Sequence, residues 1–262
     1  MALLDGKKGL IIGLSNDRAI AWGIAQALHA EGAELGFTYH RESRQRHASA
    51  LAQQISAPLV AQCDVQSDQQ IVALLEQVRA TFGALDIIVH AAVGANPADL
   101  SGPYMNTTRD SFLSALDLSA YSLTAVVKAA QPLLKPGGSI ITLSYHGARQ
   151  VAQNYNVMGV AKAALEASVR YLAQDLGPSN IRVNAISAGP IRTLSASGIA
   201  GFRSRHRRLA TIAPLGRTVT IGDVGKLATW LCSDWATAVT GEVLYVDAGL
   251  HHIAAPREPS LV

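Results

Sequence analysis

Two rhythms of apolar and polar residues alternate along this chain. Short apolar runs, each closed by a glycine or a polar residue, lead into longer stretches whose apolar positions recur at helical spacing. The first pair is Lys8-Gly-Leu-Ile-Ile-Gly13, then Ala19 to Glu31 with a stop at Gly32, which reads as strand, tight turn and helix. The pattern recurs, with strands near 34–39, 58–63, 86–91, 138–143, 180–186 and 242–246, and helices near 43–56, 67–81, 110–134, 154–175 and 221–232. Such alternation predicts the α/β class: a Rossmann-like, doubly wound parallel sheet flanked by helices. Leu85–His90 and Ser139–Ser144 are almost continuously apolar, as strands buried on both faces are.

The rhythm breaks at 191–213, where Gly198, Gly201 and several arginines separate a strand from the next helix. A loop there lies at the carboxyl ends of the strands, so a substrate lid is expected. With 262 residues and no repeat or linker, 1–262 is expected to form one domain. Apolar residues make up 49% of the chain, yet no run approaches the roughly 18 uncharged apolar residues of a membrane span, and no signal-peptide pattern follows Met1. A cytoplasmic protein without membrane contact is the expectation. A net charge of +3 does not point to a nucleic-acid partner, and Cys63 and Cys232, lacking any partner spacing, read as buried thiols.

Candidate chemistry concentrates at Tyr145, Tyr155 and Lys162. On a helix starting near 154, the spacing of Tyr155 and Lys162 is almost two turns, which puts both on one face about 10 Å apart along the axis. A nicotinamide ribose spans such a gap. The cation then binds ribose hydroxyls and lowers the phenol's pKa, and the tyrosine donates to an oxygen that gains charge during hydride transfer. Tyr145 sits beside the substrate in this reading. An amphipathic helix with a packed tyrosine and a snorkelling lysine is the alternative.

For the cofactor, Gly13 and Gly23 bracket a long turn that lacks the usual GxGxxG spelling, but its backbone amides and the following helix start still suit a pyrophosphate. Asp64, in Cys63-Asp64-Val65, either grips an adenine edge or caps a helix. NADH and NADPH both remain open. No carboxylate ends the second strand, and Arg41 and Arg44 beside Ser43 suit a 2′-phosphate, which tilts the reading to NADPH; a solvated helix start explains the same arginines. His251-His252 has no third ligand, so no metal is expected.

Gly13…Ile20-Ala-Trp-Gly23, Leu143-Ser-Tyr145, Asn154-Tyr155-Asn-Val-Met-Gly159, Ala161-Lys162-Ala and Val183-Asn-Ala-Ile-Ser-Ala-Gly-Pro-Ile-Arg-Thr-Leu194 together resemble the enoyl-acyl-carrier-protein reductases of bacterial fatty-acid synthesis, a divergent branch of the short-chain dehydrogenase/reductases. The likeness covers almost the whole chain. The lysine seven residues after Tyr155, with Gly159 at the position four residues on, favours enoyl over carbonyl reduction. The resemblance implies that Tyr155 stabilises an enolate oxygen, that Lys162 holds the ribose, and that Tyr145 and Ala95 lie by the substrate. It places Gly13, Ala19, Ile20, His40, Asp64, Val65 and Ala92 at the cofactor, together with Ile191, Arg192, Thr193, Leu194 and Ser195. It also implies a homotetramer built through the long helices, and an acyl carrier protein or another thioester carrier docking near Arg203 and Arg205.

Several residues depart from the family pattern. Ala19 stands where a serine is usual, and His90-Ala-Ala-Val93-Gly94-Ala95 lacks a bulky aromatic wall. His146 stands beside Tyr145 as either a proton relay or a polar surface residue, and Gln153 replaces a proline. These changes cluster at the acyl pocket, so a specialised enoyl substrate is expected. A reductase of a carbonyl or imine, and a nucleotide sensor without catalysis, are the other functions left open.

Overall fold

The computed structural model describes residues 2–193, 196 and 201–254, apart from the side chains of Arg203 and Arg205. Its strands are β1 (Lys8–Ile12), β2 (Glu34–Tyr39), β3 (Leu59–Gln62), β4 (Leu85–His90), β5 (Leu134–Ser144), β6 (Arg182–Ala188) and β7 (Val243–Val246). The helices are α1 (Ile20–Ala30), α2 (Gln45–Gln54), α3 (Asp68–Phe82), α4 (Arg109–Leu116), α5 (Ser122–Ala130), α6 (Val157–Leu176), α7 (Phe202–Ile212) and α8 (Ile221–Cys232). All strands pair in parallel in the order β3-β2-β1-β4-β5-β6-β7. The doubly wound sheet expected from the alternation is therefore present, and its direction of winding reverses between β1 and β4.

Successive strand residues feed opposite faces. Ile11, Ile87 and Val89 pack with Trp22 and Ile24 of α1, Leu51 of α2 and Leu231 of α8. Leu10, Ile12 and Ile88 pack with Leu74 and Val78 of α3, Val126 of α5 and Leu165 of α6. Burial on both faces explains why these strands are apolar throughout. On the first face α1 and α8 meet through glycines: a Cβ on Gly23 would lie 2.5 Å from the Ile221 carbonyl oxygen, and one on Gly225 would strike the Gly23 carbonyl oxygen. Gly23 thus serves helix packing and not the pyrophosphate turn.

Three predicted segments differ. The helix expected over 110–134 is interrupted by a π turn at Asp117–Tyr121. There Ser119 Oγ reaches Gly94 O (3.2 Å), and Ser122 Oγ donates to Leu118 O (2.6 Å). Hydroxyls competing for backbone carbonyls locally widen the helix. By length and composition Arg109–Leu133 is apolar enough to cross a membrane, but Leu123, Val126 and Ala130 are spent on the sheet. The helix expected from 154 starts at Val157, because Asn154 and Asn156 take left-handed φ values of 64° and 42°. Finally, the loop expected over 191–213 contains α7.

At the end of β4, His90 is buried, with Nδ1 paired to Thr142 Oγ1 (3.1 Å) and Nε2 to Ser122 Oγ (2.9 Å). Burial first, and then Lys162, push its pKa from 6.5 to about 3. The folded protein keeps this imidazole neutral, while the unfolded chain takes up a proton below 6.5. Stability is therefore full above pH 6.5 and falls as pH drops toward 3, by about 3–5 kcal/mol from this group. Thermal melts from pH 7 to 4 should show a smaller loss for His90→Gln than for the wild type; equal losses would refute the assignment.

Candidate active site

A cavity of about 450 Å³ opens at the carboxyl ends of β1, β4, β5 and β6. It lies at the switch point, where open α/β sheets bind ligands. Its floor begins with the turn after β1. Gly13 has φ +95° and comes so close to the chain after β4 that a Cβ would sit 3.0 Å from Ala91 O and 3.1 Å from Ala92 N. Only glycine allows that approach. Ala19, the N-cap of α1, offers no side-chain acceptor, and Ile20 and Ala21 line the cavity. The serine absent at Ala19 thus leaves the first turn of α1 uncapped by any side chain, a start that suits an anion.

A second cavity, of about 250 Å³, shares Gly13, Ala91 and Ala92 with the first. His40, Arg41, Arg44, Asp64 and Val65 line it, so the residues expected around adenosine do come together. Asp64 does not cap α3; Ser67 does, accepting from Gln70 N. Instead Asp64 Oδ1 accepts from Gln66 N (3.0 Å), and Oδ2 lies 3.5 Å from His40 Nε2. Among the residues expected by the cofactor, Ile191 and Thr193 line the main cavity and Arg192 lines neither. Leu194 and Ser195 lie outside the described residues.

Tyr145, Tyr155 and Lys162 all face the main cavity. They arrive from different elements: Tyr145 follows β5, Tyr155 sits in the left-handed turn before α6, and Lys162 lies on α6. The shared helix face predicted for Tyr155 and Lys162 is thus incorrect, although both line the same cavity. The tyrosine rings pack edge to face with centroids 4.8 Å apart. Lys162 is buried and donates from Nζ to Leu143 O (2.8 Å). Burial pulls its pKa from 10.5 to about 8, and the Glu166 charge partly opposes that pull. The Tyr155 phenol is not acidified as expected: burial, with a further contribution from Tyr145, raises its pKa. The phenol stays neutral, because burial removes the hydration that its ionised form would need.

His146 stacks on Tyr145 with centroids 4.3 Å apart and does not itself line the cavity. His251 of the tail pairs with Asp247 (2.9 Å) and stacks on Tyr245. Among the described residues no group of three or more His, Cys, Asp or Glu side chains is placed to hold a metal. Sequence reasoning missed Ser144, Glu166 and Met158, as well as Phe202, His206 and Leu209 of α7, which line the cavity. The helical periodicity of 202–212 was the one available signal for the last three.

Residues 13–251 match the family model described as Enoyl-(Acyl carrier protein) reductase. The chain belongs to this family. It is similar to the enoyl-(acyl-carrier-protein) reductase (NADH) FabI of Nostoc sp., with 51% identity over 95% of this chain and 98% of that protein. It is also similar to the enzyme of the same name from Escherichia coli, with 47% identity over 100% of both chains. Among solved structures, the Bacillus cereus enoyl-acyl carrier protein reductase with NADP+ and indole naphthyridinone superposes at a TM-score of 0.95, with 49% identity over 97% of this chain and 100% of that one. As a member of the enoyl reductase family, the chain carries the Rossmann-like sheet of these relatives, and a nicotinamide cofactor fits its two joined cavities.

Proposed function

We propose that the protein reduces the carbon–carbon double bond of trans-2-enoyl thioesters carried on acyl carrier protein, with NADH as reductant. The convergence of Tyr145, Tyr155 and Lys162 on one apolar cavity carries this reading. The cofactor fits the residues present, with Gly13 and the uncapped start of α1 suiting the pyrophosphate, His40, Asp64 and Val65 the adenosine, and Lys162 the ribose. When bound it supplies hydride to the β-carbon. Tyr155, kept neutral, donates a hydrogen bond to the thioester oxygen as that oxygen gains charge. Lys162 keeps the ribose in place, and the apolar walls exclude water. Ala92 and Ala95 leave room for the acyl chain beside Tyr145.

NADH is chosen over the NADPH that Arg41 and Arg44 favour, because the curated relatives bear NADH in their names, although one solved relative holds NADP+. Closure of α7 over substrate belongs to the same proposal, supported by Phe202, His206 and Leu209 lining the cavity; the rest of the lid expected over 191–213 lies partly outside the described residues. So do carrier-protein docking near Arg203 and Arg205, a cytoplasmic location, and a homotetramer in which the exposed Leu113, Tyr121 and Tyr171 are covered.

The test follows loss of reduced-nicotinamide absorbance with trans-2-enoyl thioesters, using NADH and NADPH separately. Tyr155→Phe should lower kcat by about 10²-fold, the scale of a lost proton or hydrogen-bond donor. Turnover of ketones or imines in place of enoyl thioesters would refute the reading, and a higher kcat/KM with NADPH would reverse the cofactor choice.

A further inference from the structure

We propose that Glu166 is a positioning residue for this reaction, fixing both ends of the turn that presents Tyr145 to the substrate. The inference rests on the enoyl-reductase reading above. Glu166 lies one helical turn beyond Lys162 on α6 and is 4% exposed. Ser144 Oγ donates to its Oε1 (2.7 Å), and Arg149 Nε donates to its Oε2 (3.1 Å). Ser144 immediately precedes Tyr145, while Arg149 closes the short 3₁₀ helix His146–Ala148 that follows. One carboxylate therefore brackets the catalytic turn, and each of its oxygens has a partner, as a buried charge requires.

What the bracket holds is tightly packed. A Cβ on Gly147 would sit 2.6 Å from Tyr155 Cδ1 and 3.0 Å from Tyr145 Cδ1, so the turn's backbone lies directly under both tyrosine rings. A Cβ on Gly159 of α6 would lie 2.7 Å from Gly147 O, so the helix supports the same turn from below. A shift of the Ser144–Arg149 turn would therefore carry the Tyr145 ring along and disturb its edge contact with Tyr155. Arg149, with about half its side chain exposed, also reaches the Tyr245 ring, 6.0 Å from its centroid. The carboxylate has a second effect, through charge. Around Lys162 stand Glu166 on its own helix, neutral His90 at the end of β4, and the phenols of Tyr145 and Tyr155. Among them Glu166 alone favours the lysine cation.

Arg149 is the safer residue to alter, because most of the cost of burying it was never incurred. With enoyl thioester and NADH, Arg149→Met should lower kcat/KM for the thioester by about 10-fold, the scale of a displaced positioning contact, while NADH affinity stays close to wild type; the melting temperature should fall, because a buried carboxylate oxygen of Glu166 loses its partner. Arg149→Lys, which restores a donor, should recover part of that loss. Glu166→Gln should lose more, and the alkaline limb of its kcat/KM profile should move to lower pH, because Lys162 loses its favourable charge. The inference is overturned if Arg149→Met and Glu166→Gln both keep thioester kcat/KM near wild type. Parallel losses of NADH affinity and thioester kcat/KM in Arg149→Met also overturn it, since they would mean a structural role only. If Glu166→Gln does not fold, the Arg149 pair decides alone. A wild type that fails to reduce any enoyl thioester would instead refute the parent reading, which keeps the two failures apart.

Discussion

Lys162→Ala should weaken NADH binding by about 10²–10⁴-fold, because a buried ammonium makes charge-assisted hydrogen bonds of about 1.5–3 kcal/mol each and two such bonds to a ribose are lost. Lys162 is 4% exposed, so water cannot replace it at low cost. Nζ donates to Leu143 O at the end of β5, which holds the ammonium at the cavity that Tyr155 also lines. The pH dependence follows from its displaced pKa. As the cation is the binding form, NADH affinity should be full below about pH 8 and decline as pH rises through that value. Nicotinamide fluorescence titrations of wild type and variant between pH 6 and 9.5 measure both effects. A loss under tenfold, or a wild-type affinity independent of pH, would remove Lys162 from the proposed ribose site.

The second large effect is on stability. Gly23→Val should destabilise the fold by about 3 kcal/mol or more, because overpacking against backbone has no flexible side chain to absorb it. The Cβ would lie 2.5 Å from Ile221 O and 2.6 Å from Ile221 C, at the start of α8. The Thr220–Asp223 capping box fixes that start, and Arg217 pairs with the same Asp223 carboxylate (2.8 Å), so α8 resists moving. The strain must then fall on α1, whose first turn forms the expected pyrophosphate site. A melting temperature lower by about 10 °C, with weaker NADH binding, is the expected result for a chain of this size. An unchanged melting temperature would mean that the crossing of α1 and α8 is looser than the structure shows.

Particular elements show where sequence reading succeeded and where it failed. β2 was legible to the residue, and α3 to within one, because each is bounded by its own local signals: a glycine stop before β2, Ser67 before α3 and Gly83 after it. The π turn at Asp117–Tyr121 was not legible, since Ser119 widens the helix only by finding Gly94, which belongs to the loop after β4. The start of α6 was misplaced because Asn154-Tyr155-Asn156 carries no proline or glycine, yet both asparagines adopt left-handed backbone. Gly23 looked like part of a phosphate turn because only α8, some 200 residues later, shows what its missing side chain accommodates.

The sequence by itself determined the order and kind of most elements, though not α7 or the break between α4 and α5, together with the parallel doubly wound class and the choice of Tyr145, Tyr155 and Lys162 as candidates, because periodicity and motif spacing are local properties of the chain. The tertiary structure alone decided that burial keeps the Tyr155 phenol neutral and does not acidify it, that Asp64 closes its own turn beside His40, and that Glu166 brackets the Tyr145 turn. Each of these depends on desolvation or on a hydrogen bond between distant segments. Burial and long-range contact exist only after the chain has folded, so no local pattern encodes them.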